Sequence, residues 1–152
     1  MKRYLLLLIC LLALPMLGRA QSYIYKGKST YSSDILYTVK GKHIYRGKST
    51  YTSDIQYTFD GTYLYKGNST YRSDIILRYD GKYIYRGKSN FSSDIIYTFD
   101  GKHLYNGKNS FSSNILLTFD GEHIYRGKST FSSDTIYTVK GDIPILFIVM
   151  LL

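Results

Sequence analysis

The sequence predicts an all-β fold built from six copies of one short unit. Three observations carry this prediction: a 20-residue period, two β-rich runs in each period, and an Asp-Gly pair between most consecutive periods. A fixed period of this length is typical of repeat architectures, in which each unit buries its face against its neighbours. The first copy covers residues 21–40, and the later copies begin at Gly41, Gly61, Gly81, Gly101 and Gly121. Positions 1 to 20 are numbered from that glycine.

Residues 1–20 precede the repeats and have the pattern of a secretory signal peptide. Lys2 and Arg3 form a basic start, residues 4–14 are apolar, and Gly18 and Ala20 are the small residues that signal peptidase reads. The apolar run is about half the length that a membrane span needs, although an uncleaved anchor is the alternative. We therefore expect cleavage after Ala20, no transmembrane span in the mature chain, and export to the periplasm, the cell surface or the medium. Cleavage also removes Cys10, the one cysteine.

Each repeat contains two predicted strands, at positions 2–6 and 15–19. Both runs are rich in β-branched and aromatic residues, as in Lys82-Tyr83-Ile84-Tyr85-Arg86. The Asp-Gly pair between copies predicts a type I′ hairpin with positive φ at both central residues. With that corner, position 19 faces position 2, 17 faces 4, and 15 faces 6. Both faces of the ribbon are partly apolar, so we expect both to be partly covered.

An eight-residue polar link joins the two strands of each repeat. One aromatic residue stands in it at position 11, and we expect this ring to turn back into the core. The link's hydroxyl groups and the acid at position 14 are expected to hydrogen-bond the backbone of the link itself. The six aromatic residues are Tyr31, Tyr51, Tyr71, Phe91, Phe111 and Phe131.

The repeat pattern stops after Gly141, and residues 141–152 form a nearly apolar C-terminal closing segment. It is too short to span a membrane. We expect a buried strand over residues 143–152, because an open row of strands leaves an edge that β proteins usually cover. A membrane-associating tail and the frameshifted end of a longer gene are the alternatives.

The repeat unit resembles known repeat families. Residues 80–89, Asp-Gly-Lys-Tyr-Ile-Tyr-Arg-Gly-Lys-Ser, followed by Ser-Asp-Ile-Ile-Tyr-Thr at 93–98, resemble the unit of the septoil-knot family of uncharacterised, mostly bacterial proteins. That resemblance covers residues 21 to about 141. It implies a compact all-β body, doubly wound into a seven-crossing torus knot, with no known activity. A weaker similarity links the period to choline-binding and other cell-wall-binding repeats, whose Trp-rich pattern is absent because the chain has no tryptophan.

Charged and titratable residues predict no catalytic, cofactor or metal site. The net charge of +9 falls to +6 without Lys2, Arg3 and Arg19, and the remaining bases are spread over the repeats rather than clustered. Nucleic acid is therefore not an expected partner. The three histidines share position 3 with tyrosines, which is typical of a surface ring rather than a zinc ligand. The acids at position 14 favour turn capping over calcium binding.

The function predicted from these patterns is that of an exported, non-enzymatic structural or surface scaffold. The alternative is a module that binds an extracellular polysaccharide or cell-wall polymer. Tyrosine offers such a polymer apolar area and a hydroxyl group, although the same side chains also pack across strands. The candidate ligand-binding aromatics are the tyrosines at position 5, namely Tyr25, Tyr45, Tyr65, Tyr85, Tyr105 and Tyr125.

Overall fold

The computed structural model describes residues 20–152, so the predicted signal peptide lies outside the described residues except for Ala20. Each repeat contributes one short and one longer strand at the predicted positions. The twelve strands are β1 (Ser22–Lys26), β2 (Ile35–Lys40), β3 (His43–Arg46), β4 (Ile55–Phe59), β5 (Tyr63–Lys66), β6 (Ile75–Tyr79), β7 (Tyr83–Arg86), β8 (Ile95–Phe99), β9 (His103–Asn106), β10 (Ile115–Phe119), β11 (His123–Arg126) and β12 (Thr135–Lys140).

The strands form one closed antiparallel barrel in sequence order, and β1 pairs with β12 to complete it. Position 5 faces position 18 at this last interface (Tyr25 and Thr138) as it does within the chain (Tyr65 and Thr58). Because the register is the same, the six units are related by rotation about the barrel axis. The all-β fold of six hairpin repeats is thus confirmed. The doubly wound path is not found in the described residues, since strands pair in sequence order, and the knot stays a prediction.

The hairpins between copies turn one residue later than expected. Phe59 faces Leu64 and Tyr57 faces Lys66, so position 19 faces 4 and 17 faces 6. Type I′ is wrong for these turns, because glycine alone has positive φ, as in Gly61 at 103°. Instead, the Asp60 N–H donates to the Tyr63 carbonyl, and the Asp60 carboxylate accepts from the Tyr63 N–H across the turn. The slip is an even number of residues, so positions 17–19 stay on the faces that strict alternation gives them. A bulge in each repeat pairs position 15 with position 5, as Ile95 with Tyr85, so positions 15 and 16 exchange faces and Ile96 packs against the core.

The inner face of the barrel holds the core. Position 4 is almost completely inaccessible in all six repeats, and the side chains at positions 17 and 19 pack beside it. A short helix, α1 (Ile145–Val149), joins the same core, with Leu146 and Phe147 fully buried. The Phe147 ring lies 4.9 Å from Tyr37 of β2 and 5.7 Å from Tyr57 of β4, between ring centroids. The C-terminal segment therefore fills the barrel interior.

This helix corrects the predicted closing strand. The segment is buried, but the β1–β12 pairing leaves no sheet edge for it to cover. Inside a closed barrel a strand has no partner for its backbone groups, and a buried N–H or C=O without a partner is costly. A helix bonds those groups locally, as Phe147 N–H and Ile148 N–H do to the Pro144 carbonyl. Closure of the sheet thus explains why an apolar, β-branched sequence becomes helical.

The outer face is also covered, as expected, at positions 5 and 18. Thr58 and Thr98 are at most 1% exposed there, because the following link folds over them. The glycine at position 7 starts that link: Gly107 N–H donates to the Ile96 carbonyl, and its own carbonyl accepts from the Thr98 hydroxyl at 2.8 Å. Gly107 has a φ of 72°, which glycine adopts without strain. This contact ties each link to the preceding repeat.

Candidate functional site

The six links form one ring of loops around the barrel, and five of them share the same internal hydrogen bonds. In the fourth repeat the Ser89 hydroxyl donates to the Asp94 carboxylate at 2.5 Å and accepts from the Phe91 N–H at 3.1 Å. A 3-10 turn over Ser92–Asp94 then leads into β8. The acid at position 14 therefore acts inside the loop, but its partner is the position-9 hydroxyl, and that serine rather than the acid bonds the backbone of the loop. We call positions 6–14 of all six repeats the loop ring: residues 26–34, 46–54, 66–74, 86–94, 106–114 and 126–134.

The aromatic residue at position 11 projects into solvent, so its predicted return to the core is wrong. Its six copies are between 66% and 77% exposed, against 0–1% for the core residues at position 4. Two features explain the outcome. The interior is already filled by inward side chains and α1. In five repeats the bond from the residue's own N–H to the position-9 serine also holds it on the outer turn of the loop; the fifth repeat has Asn109 there. Equivalent residues lie on one circle, because the units are related by rotation.

The tyrosines at position 5, the predicted ligand-binding residues, lie elsewhere. All six are buried, with only 5–7% of their surface exposed. In the last four repeats the hydroxyl donates to the aspartate of the preceding hairpin, as Tyr85 does to Asp80 at 2.7 Å. A polymer at the surface would therefore meet little of these rings. Their burial gives them a packing role, and contact with a ligand stays an untested prediction.

The Asp–Tyr pairs shift the pKa values of both groups. Burial alone would raise the pKa of Asp60, but the N–H groups of Tyr63 and Thr62 and the Tyr65 hydroxyl outweigh it, and the pKa falls below its ordinary value. Burial and the bond to Asp60 raise the pKa of Tyr65 to about 12. The same directions hold in the next three hairpins. Their residues are Asp80 with Tyr85, Asp100 with Tyr105, and Asp120 with Tyr125.

The histidines take part in this hairpin chemistry. His103 and His123 each place Nδ1 3.3 Å from the aspartate of their own turn. His43 follows a turn with lysine in place of aspartate and lies 3.3 Å from the Thr58 hydroxyl. Burial and the charge of Lys42 lower the pKa of His43. Within residues 20–152, no group of three or more His, Cys, Asp or Glu side chains converges on a point where a metal could sit.

The charges of residues 20–152 are divided unequally between the loop ring and the rest. The loop ring carries eleven lysines and arginines and five aspartates, a net charge of +6. The remaining described residues carry six basic and six acidic side chains and are neutral in sum. The five loop aspartates are partly buried at position 14. The loop ring is therefore the part of residues 20–152 that carries the net positive charge, and it also carries the exposed aromatic rings.

Sequence reasoning missed this ring, although a signal for it was present. Basic residues recur at positions 6 and 8 in five of the six repeats each, and the aromatic residue always stands at position 11. Along the chain these residues look dispersed, because twenty positions separate successive copies. In the closed barrel these basic and aromatic residues all lie in the loop ring. Adding the charges of equivalent repeat positions, rather than those of continuous stretches of sequence, would have revealed the ring.

Clefts also open at the surface of the barrel. Where the chain leaves β12, a cleft of about 220 Å³ lies between Phe119, His123, Val139 and Ile148. A second cleft, of about 510 Å³, lies between Tyr25, Glu122 and Lys140, and its volume is in the range of about 300–1,000 Å³ that is usual for small-molecule sites. The loop ring is nevertheless the stronger candidate surface, because it carries the exposed aromatic residues and the net positive charge. Among residues 20–152, no helix is long and apolar enough to cross a membrane.

Comparison with known proteins gives a family but no individual relative. No curated protein and no solved structure matches the chain. The predicted resemblances to septoil-knot and choline-binding repeats are not confirmed. One family model, described as 6-fold beta flower protein, matches residues 24–151. That span includes all twelve strands and α1 apart from the first two residues of β1, and its six-fold description agrees with the six units of the barrel. The chain belongs to the 6-fold beta flower protein family.

Proposed function

We propose that the protein is an exported, non-enzymatic structural scaffold, a closed ring that displays six nearly identical loops outward. The observation that carries this proposal is the β1–β12 pairing, which leaves no sheet edge among the described strands. The acids support it, because those at position 14 shape loops and those at position 20 close turns. Each such carboxylate stabilises the fold that displays the loops.

Export is supported by the leader and by the place where the barrel starts. β1 begins at Ser22, two residues after the expected cleavage point at Ala20. Removing residues 1–20 would therefore leave every strand intact. The test is expression of the full-length gene, followed by cell fractionation and N-terminal sequencing of the product. We expect an extracytoplasmic protein that begins at Gln21, and a cytoplasmic protein with an intact leader would contradict export.

A second function, binding of an extracellular polymer, is favoured by the exposed aromatic residues at position 11. Aromatic faces of this kind stack on sugar rings. Six copies on one circle would let a long polymer engage several loops at once, which raises its overall affinity. This proposal keeps the predicted partner but moves the contact from position 5 to position 11.

The test for polymer binding is a pull-down on isolated cell walls and polysaccharides. A variant with serine at all six position-11 sites should lose binding and keep the wild-type melting temperature, because these side chains are exposed. The matched control is Tyr83→Ser, a change at a half-buried tyrosine outside the loop ring. Binding retained by the six-site variant would show that the loop aromatics are not the contact.

A further inference from the structure

Two lysines of the loop ring hydrogen-bond the loop of the preceding repeat. Lys108 Nζ lies 2.6 Å from the Ser92 hydroxyl, which places it in the loop that carries Phe91. Across the closure of the barrel, Lys28 Nζ lies 3.2 Å from Ser132, beside Phe131. At these two places the lysine at position 8 thus lies at the residue that follows the exposed aromatic residue of the preceding repeat. The same register in all six units offers the equivalent place to the other position-8 lysines.

These lysines and aromatic rings are free to meet a ligand. The position-8 lysines are exposed, and so are the position-11 rings beside them. Among residues 20–152 the ion pairs are those of His103 and His123, so no position-8 lysine is paired with a carboxylate there. An exposed ring face next to an ammonium group binds a sugar that carries an anion: the ring stacks on the sugar, and the ammonium pairs with its charge.

We propose that the loop ring binds an anionic polysaccharide, one that carries carboxylates at regular intervals. Each composite subsite would pair the lysine at position 8 of one repeat with the aromatic residue at position 11 of the repeat before it. This rests on the polymer-binding function proposed above and specifies its ligand. Charge complementarity selects the ligand, since the entire net charge of residues 20–152 resides in the loop ring. The regular arrangement of subsites favours a polymer with repeating charge, because several weak contacts then act together.

The chain itself contains a natural gap in the ring. The third repeat has Asn68 at position 8, so the subsite around Tyr51 lacks its lysine. Asparagine is therefore compatible with this loop, and Lys→Asn is the substitution to use. The loop variant is Lys28→Asn, Lys88→Asn and Lys108→Asn, because Lys28 and Lys108 bond the preceding loop and Lys88 lines one cleft with Arg72 of the preceding loop. The matched control is Lys42→Asn, Lys82→Asn and Lys102→Asn, which removes the same three charges from exposed sites on the hairpin turns.

The experiment measures binding of polygalacturonate and of uncharged dextran to the protein and both variants. We expect the loop variant to weaken polygalacturonate binding by about tenfold or more and the hairpin control by less than about threefold, because the lost pairs act jointly. Salt at about 1 M, where the Debye length is about 3 Å, should abolish binding. Dextran should bind far more weakly than polygalacturonate.

Other outcomes overturn the proposal in distinguishable ways. Equal losses in both variants would mean general charge attraction rather than built subsites. Salt-insensitive binding of dextran would leave the polymer-binding function standing and refute the anionic ligand. Tighter binding of anionic lipid vesicles or single-stranded nucleic acid through the same lysines would assign the ring to another partner. No binding of any polysaccharide would refute both this inference and the polymer-binding function.

Discussion

At the scale of single residues, one hydroxyl group joins neighbouring repeats at five of the six places where repeats meet. The threonine at position 18 donates to the position-7 glycine carbonyl of the next repeat in five of six cases. The third repeat has Arg78 instead, and its guanidinium lies 5.0 Å from the centre of the Tyr85 ring. Threonine is therefore the usual solution at this position, and the fold accepts one replacement.

Thr98→Val removes this tie at nearly constant volume. We expect the free energy of unfolding to fall by about 1–2 kcal/mol, because the Gly107 carbonyl loses its hydroxyl donor in a buried place. Urea denaturation followed by circular dichroism measures the change. Thr50→Val, at an exposed site in the loop ring, is the control and should change stability by less than about 0.5 kcal/mol. Equal effects at both sites would contradict the role of the tie.

The Asp–Tyr pairs predict that the protein is most stable at intermediate pH and loses stability in both acid and base. The lowered pKa values of Asp60, Asp80, Asp100 and Asp120 mean stability that is present above about pH 4 and lost as the pH falls. The raised pKa of Tyr65 means stability that is present below about pH 10. It is lost as the pH rises towards about 12, the pKa of Tyr65 in the folded state. Melting temperatures measured across pH should fall at both ends.

Variants can show which carboxylates cause the loss of stability in acid. Changing the four hairpin aspartates to asparagine should lower stability at neutral pH and flatten its decrease below about pH 4, because no carboxylate remains to be protonated there. Asp142→Asn, at an exposed site after β12, should leave the loss of stability in acid unchanged. An unaltered loss of stability in acid in the four-site variant would show that other groups are responsible.

At the scale of elements, α1 is the least repetitive part of the barrel and one of its most buried. Phe147→Ala should lower the free energy of unfolding by about 3–5 kcal/mol, since it leaves a cavity where the ring contacts Tyr37 and Tyr57. Leu152→Ala, at a site 58% exposed, should change stability by less than about 0.5 kcal/mol. Similar small effects at both sites would mean that the helix does not support the core.

The elements also show which features a sequence can predict. The strands and the hairpin positions follow from local alternation and Asp-Gly pairs, so they were predictable. The register was missed because a type I′ corner needs positive φ at two residues, whereas only the glycine has it and the corner lies one residue later. The Lys40-Gly41 hairpin, which has no carboxylate, has the same register as the Asp60-Gly61 hairpin. The helical form of residues 145–149 depends on closure between β1 and β12, whose partners lie more than a hundred residues apart. The exposure of position 11 likewise depends on an interior filled by that distant helix.

At the scale of the whole molecule, closure explains several otherwise separate features. It removes the sheet edge, relates the six loops by rotation, gathers the positive charge into one ring and leaves the C-terminal segment an interior to fill. An open row of the same six hairpins would have two unpaired edges and no enclosed interior. The pairing of the first and last strands is therefore the central claim.

Hydrogen exchange at the position-7 glycines tests closure most directly. The Gly27 N–H donates to the Ile136 carbonyl across the β1–β12 interface at 2.9 Å, whereas the Gly87 N–H makes the equivalent bond to Ile76 inside the chain at 2.8 Å. A closed barrel gives both amides similar protection, within about tenfold, when exchange is followed residue by residue by NMR. If Gly27 exchanges at the rate of an unprotected amide while Gly87 stays protected, the barrel is open between β1 and β12.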